Sequence, residues 1–196
     1  MQKFFLGSVV VCLLVVAAAA QEQTPRVEIF GGYSYLNFDL AVDPFFVLDR
    51  QHGHGIGLSV AGNFTKHVGV VGDFSFNARD VKLTFANGFT DRAEARRLYY
   101  LIGPQFSARS ERLTGFGHVL IGAVRSRDEI GVNTKRTGFV LGGGGGLDVN
   151  VNKRVAIRAL QLDYLPSRIR GDFDLKTIWL QNFRAQAGLV IQLGGN

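Results

Sequence analysis

Apolar and polar residues alternate with a period of two in eight stretches of this chain, the signature of strands with unlike faces. In the first, residues 27–38, Val27, Ile29, Tyr33 and Tyr35 share one face and Glu28, Gly32 and Ser34 the other. The second, residues 54–64, sets Ile56, Leu58, Val60 and Phe64 against Gly55, Gly57, Ser59 and Asn63. The third begins at Val68, with Val70, Phe74 and Phe76 opposite Gly69, Asp73, Ser75 and Asn77. The fourth, 97–107, opposes Leu98, Tyr100, Ile102 and Phe106 to Arg97, Gly103 and Gln105. The fifth (114–124) and sixth (137–149) are rich in glycine and alternate less regularly. In the seventh, 155–164, Leu160, Leu162 and Tyr164 lie across from Gln161 and Asp163. The eighth, 182–193, separates Phe183, Ala185, Leu189, Ile191 and Leu193 from Asn182, Arg184, Gln186 and Gln192.

The joins between these strands run long and short in turn. Residues 65–67, 108–113 and 150–154 are short, whereas 39–53, 79–96, 125–136 and 165–181 are long and rich in charged or aromatic residues. If both chain ends lie on one side of a sheet, all four long joins fall on the other. Short turns at one end and long loops at the other are what an up-and-down barrel in an outer membrane requires. Strands of about 9–11 tilted residues suffice to cross the hydrocarbon. The second long join contains VKLTFANGFT, alternating around Asn87-Gly88. That is a tight-hairpin signal, so strands three and four are expected to continue above the membrane as a ribbon. An open sheet edge in lipid would cost several kcal/mol per unpaired backbone group, and closure removes it. The expected fold is therefore all-β: an eight-stranded antiparallel up-and-down transmembrane β-barrel. Alternation also fits a soluble barrel with its faces reversed and an apolar ligand inside. Glu28, Asp73, Arg97, Asp148, Asp163 and Arg184, set among small residues, suit a narrow polar lumen better.

Residues 1–20 carry Lys3, an apolar run over 4–16 and a final Ala18-x-Ala20. This is the order of a secretory signal, with cleavage expected after Ala20 and a barrel domain over 21–196. The destination is then the outer membrane. The whole chain is basic, with a net charge of +6, and without Lys3 it holds 21 basic against 16 acidic residues. After a secretory signal this balance fits anionic lipid headgroups or polysaccharide rather than nucleic acid. The one cysteine, Cys12, lies within the signal, so disulfides, thiolate metal sites and cysteine catalysis are not expected. Twenty-five glycines against four prolines point to strands that bend or pack closely rather than to disorder.

VEIFGGYSYLNF in the first strand, RVAIRALQLDYL in the seventh and QNFRAQAGLVIQLG at the end together resemble the small outer-membrane β-barrels, the family of the OmpA-type transmembrane domain. The resemblance spans 21–196. It implies an eight-stranded barrel, usually without enzymatic activity, inserted by the barrel assembly machinery. Members often end in an aromatic residue that this machinery reads, whereas here the end is Leu193-Gly194-Gly195-Asn196. No peptidoglycan-binding domain follows the barrel, so a cell-wall tether is not expected.

Several residues invite a chemical reading. Gly142 to Gly146 lack the Lys-Ser/Thr of a phosphate loop, and a strand making room for bulky lumen neighbours is the better reading. His52, His54 and His67 lack the further ligands a zinc site wants, and no metal or cofactor is expected. His118 could serve as the base of a lipid A-modifying enzyme if a serine or carboxylate lay beside it. Glu28, Asp163 and Arg184 on strands one, seven and eight are expected to form one lumen ion network, serving either as mutual neutralisation or as a gate for ions. Basic residues of the long loops, Arg79, Arg96, Arg125 and Arg127 among them, offer partners to lipopolysaccharide phosphates. Tyr33, Tyr35, Tyr99, Tyr100, Tyr164 and Trp179 are candidates for the interfacial aromatic girdles. The expected role is non-enzymatic and structural in the envelope, with narrow ion passage or adhesion through the loops as further options.

Overall fold

The computed structural model describes residues 24–38, 51–84, 90–130, 132–170 and 177–194. The signal and its cleavage site lie outside these residues, as do Asn87-Gly88 and most of the first long join. The elements are β1 (Val27–Phe38), β2 (Gln51–Asn63), β3 (Val68–Thr84), β4 (Thr90–Arg109), β5 (Leu113–Ile130), β6 (Val132–Asn150), β7 (Val155–Tyr164), β8 (Ser167–Arg170), β9 (Thr177–Leu180) and β10 (Phe183–Leu193). Neighbours pair antiparallel in the order β5-β4-β3-β2-β1-β10-β7-β6, and β6 pairs back onto β5, which closes the sheet. The short β8–β9 hairpin joins β6 through Phe139 and Val140. It continues the seventh and eighth staves toward the loops, so the closed barrel has eight staves, as the alternation predicts. Each of these two staves breaks where Pro166, which has no N–H, interrupts the ladder. There the Leu165 N–H donates to the Asn182 carbonyl at 2.8 Å, and the Asn182 amide donates to the Leu165 carbonyl at 3.0 Å.

Paired residues can be followed round the wall from Leu36 through Arg184, Asp163, Gly144, His118, Gln105, Gly69 and Asn63. The path returns to the first stave at Arg26, just before β1, whose carbonyl accepts from the Asn63 N–H at 2.8 Å, ten residues below its start. A stagger of this size goes with strands tilted by about 40°.

Side chains alternate as the pattern requires. Glu28, Ser34, Ser59, Asp73, Gln105, Asp148, Asp163, Arg184 and Gln186 are buried inside. Ile56, Leu58, Val60, Ile102, Phe106, Leu160, Leu162, Leu189 and Ile191 are exposed outside. A continuous apolar exterior around a polar interior suits lipid and not water, which rules against the soluble barrel with reversed faces. β7 reconciles its two halves with a bulge: Arg158 pairs with Asp148 and Leu160 with Leu147, leaving Ala159 unopposed. The extra residue flips the parity, so Arg158, Gln161 and Asp163 all point inward.

Three expectations need correction. Residues 125–136 are not a loop: β5 and β6 pair up to Ile130 and Val132 as a long hairpin. The join 165–181 is not all loop either, since it holds β8 and β9. Tyr99 is not a girdle residue; its odd position on β4 turns it inward, where it is fully buried. Tyr33, Tyr100, Tyr164 and Trp179 are exposed outward, and the rings of Tyr164 and Phe183 pack at 4.9 Å. The ribbon expected from β3 and β4 is present, paired from Val68–Phe106 up to Thr84–Thr90.

Candidate functional site: the lumen

Inward polar side chains cannot reach water through a packed wall, so they must satisfy one another. Several do so along a chain that crosses the barrel, whereas the buried Gln186 amide has no hydrogen-bond partner among the described residues. Asp148 on β6 accepts two bonds from the Arg158 guanidinium, at 2.8 and 3.0 Å. Arg158 Nη1 donates to Gln161 Oε1 at 2.7 Å, and Gln161 Nε2 donates to Asp163 Oδ2 at 2.8 Å. Asp163 Oδ1 lies 2.7 Å from His118 Nε2 on β5. Asp163 Oδ2 also accepts from Arg184 Nε at 3.0 Å and Nη2 at 2.7 Å. Arg184 Nη1 then reaches across the lumen to β3, to Asp73 Oδ1 at 2.7 Å and Ser75 Oγ at 2.8 Å. Three carboxylates face two guanidiniums and one imidazole, and the network ties together β3, β5, β6, β7 and β10. Charge-assisted bonds of this kind are strong and directional, so they fix which staves face each other. The Arg158 guanidinium also lies over the rings of Phe30 (4.5 Å) and Phe116 (4.2 Å), both buried in the lumen.

Of the three residues expected to meet, the structure brings Asp163 and Arg184 together and leaves Glu28 out. Glu28 instead pairs with Arg109 Nη2 at 2.7 Å, at the turn end of the barrel. The reason is register. Arg184 stands opposite Leu36 on β1, eight residues from Glu28. Eight residues of strand span about 26 Å. Adjacency of staves was legible in the sequence, but height along them was not. The partners that sequence reasoning missed were Asp73, Ser75 and His118 for the ion network, with Gln161, Arg158 and Asp148 beyond Asp163, and Arg109 for Glu28. The first three lie inward on their strands, and Asp73 and Ser75 carry the period-two signal. Which inward residues share a level depends on the stagger of the whole barrel.

The five-glycine run lies on β6 with Gly144 and Gly146 facing inward. A Cβ on Gly144 would come within 2.2 Å of Asp163 Oδ1, and one on Gly146 within 2.7 Å of the Phe116 ring. The run therefore makes room for the network and its stacking ring. It lies within a strand and does not open a helix as a phosphate loop would.

On the loop side of the network lies an apolar layer. Leu36, Phe38, Tyr99, Leu120, Val124, Val140 and Leu165 are each at most 1% exposed and belong to one cluster. Arg97, also buried, lays its guanidinium over the Phe38 ring at 4.8 Å. His118 does have the carboxylate neighbour that an enzyme reading asks for. Its Nδ1, however, has no hydrogen-bond partner, no hydroxyl is bonded to the ring, and the dyad is enclosed. His52 and His54 point outward near the loop end, while His67 sits in the turn after β2 and bonds the Ser107 carbonyl at 3.0 Å. Among the described residues no group of three or more His, Cys, Asp or Glu could hold a metal ion.

Comparison with known proteins agrees with this architecture. The attachment invasion locus protein Ail of Yersinia pestis is 20% identical, with 85% of this chain and 99% of that one covered and a TM-score of 0.54. Neisserial surface protein A is 8% identical over 85% of this chain and 97% of that one, at a TM-score of 0.63. OprG of Pseudomonas aeruginosa is 12% identical over 88% and 99%, at 0.56. At these identities the likeness is one of fold. No curated protein matches the chain in sequence. The sequence profile of the outer membrane protein beta-barrel domain matches residues 7–190, and the chain belongs to that family of outer-membrane barrels.

Proposed function

We propose that this protein is a sealed, non-enzymatic barrel that contributes to the structure of the outer membrane and carries two long hairpins clear of the bilayer for adhesion. The observation that supports this reading is the filled lumen: an ionic network from Asp148 to Asp73 beneath an apolar layer that includes Leu36, Tyr99, Val124 and Leu165. A hydrated ion crossing it would have to part paired charges and then shed its water among fully buried aliphatic side chains. An eight-stranded barrel has a lumen just wide enough for its own side chains, which fits a plug rather than a pore. The hairpins support the second half of the reading. β3 leaves β2 after the Ala78–His54 pair and runs on with β4 for six more residues to Thr84, about 20 Å. The test is conductance of the purified barrel in a planar lipid bilayer. The expected record is flat at 1 M salt, and discrete, reproducible steps from a heat-modifiable, folded preparation would overturn the sealed reading.

A further inference from the structure

Two imidazoles stand outside the lumen, at the loop end of β2. His52 and His54 occupy outward positions there and are exposed. They pair in register with Asn37 and Tyr35 of β1. The Tyr35 hydroxyl meets His52 Nδ1 at 2.6 Å, and the Tyr33 hydroxyl meets His54 Nδ1. The Tyr35 and His52 rings stack at 5.7 Å with an 18° angle between planes. A phenol O–H is the better donor and an imidazole nitrogen the better base, so each tyrosine donates to Nδ1. This fixes the neutral ring as the Nε2–H tautomer and leaves that N–H free to donate to a ligand. Protonation of the ring keeps the same donor in place. Beside them Arg79 of β3 donates Nη1 to the His52 carbonyl at 3.4 Å.

With Ala78 these residues line a recess in the outer wall of the barrel. Among the described residues its polar lining is the two imidazoles and the Arg79 guanidinium. Directly below on β2 come Ile56, Leu58 and Val60, all about half exposed and lipid-facing. The recess thus sits at the upper edge of the apolar belt, where headgroups begin. Further round the same pairing row stand Arg96 and Arg127. A group seated in the recess must accept hydrogen bonds from several donors at once and must be anionic. A phosphate monoester, with three oxygens and up to two charges, meets both needs.

We propose that this recess binds the phosphate monoester of an outer-leaflet glycolipid, held by His52 Nε2–H, His54 Nε2–H and the Arg79 guanidinium. Tyr33 and Tyr35 act as positioning residues that aim the rings. The assignment rests on the outer-membrane reading, with the long hairpins on the outer side. The test is native mass spectrometry of the full chain released from detergent, offered three probes in turn: bis-phosphorylated lipid A, the same lipid A stripped of phosphate, and phosphatidylglycerol. Retention of phosphorylated lipid A alone is expected. His52→Ala/His54→Ala should lower its occupancy about tenfold, as loss of two such bonds predicts. Arg79→Gln should lower it less, and Tyr33→Phe/Tyr35→Phe should weaken it while leaving the imidazoles in place. Equal retention of the dephosphorylated lipid or of phosphatidylglycerol would overturn the proposal, as would unchanged occupancy in the double-histidine variant. Chelation of Ni²⁺ by the histidine pair without phosphate-dependent retention would overturn it in favour of a metal site. Each preparation is also run on a gel with and without boiling. A missing shift in the unmodified chain would count against the barrel itself, whereas a normal shift with no lipid A retained would count against the site alone.

Discussion

Arg184 is fully buried and holds two lumen carboxylates, so replacing it with methionine probes the network at its centre. Arg184→Met keeps much of the side chain's length but deletes four hydrogen bonds: two to Asp163, one to Asp73 and one to Ser75. Asp163 retains Gln161 and His118, but Asp73 loses its guanidinium. Removing one partner of a buried ion pair costs about 3–5 kcal/mol, mostly through the charge left behind. With a urea slope of about 2 kcal/mol per molar, the unfolding midpoint should fall by about 2 M. The assay is urea unfolding of the barrel in phospholipid vesicles, followed by the fluorescence of Trp179, the single tryptophan, which lies exposed on the outer face. A companion variant, Arg184→Met/Asp73→Asn/Asp163→Asn, removes the stranded charges together with the cation. Replacement of a whole buried network by neutral groups of similar size is often nearly neutral, so this triple variant should regain at least half of the loss. A single variant within about 1 kcal/mol of the parent would refute the reasoning, as would a triple variant no more stable than the single one.

Three further outcomes follow from the same geometry. Leu162→Arg places a charge on the lipid-facing wall and should cost about 2–4 kcal/mol in vesicle unfolding; a tolerated substitution would mean that this face meets water. Gly144→Ala drives a Cβ to within 2.2 Å of both Asp163 Oδ1 and the Leu162 carbonyl and should destabilise by about 1–3 kcal/mol, whereas Gly115→Ala, with nothing within 4 Å, should be close to neutral in the same assay. Glu28→Gln should weaken the Arg109 contact at the turn end yet combine additively with Arg184→Met to within about 0.5 kcal/mol; a larger coupling in the double-mutant cycle would mean that the two clusters form one network.

Much of this protein was legible before any coordinates. Period-two alternation identified the two faces of six of the eight staves, because in lipid the outward residues must be apolar and the inward ones must fit a narrow interior. Tyr33, Ile56 and Leu189 on one side, and Ser59, Asp73 and Gln186 on the other, landed where their positions require. Alternating join lengths identified the up-and-down topology, since antiparallel neighbours joined by short turns leave few other ways to close. The ribbon of β3 and β4 was legible as well, from an alternating run that continues past the length needed to cross the bilayer. Where alternation weakened, the reading lost resolution. The paired extension of β5 and β6 looked like a loop, because its charged residues resemble solvated loop chemistry unless the partner strand is known.

Height was the missing quantity. A local pattern tells a residue which face it occupies but not which residue across the lumen it meets, because that depends on a stagger of ten residues accumulated around eight staves. Glu28 and Arg184 are on adjacent strands and both point inward, yet the register sets them eight residues apart and hands Arg184 to Asp73 on β3. The bulge at Ala159 likewise reverses parity within one strand, so that Arg158 and Gln161 point the same way. The tautomer-aimed histidines of the outer wall are a third instance, since His52 bonds Tyr35 diagonally rather than the residue opposite it. Faces follow from the chemistry of each residue and its immediate neighbours. Partners follow from closure, which is a property of the whole sheet.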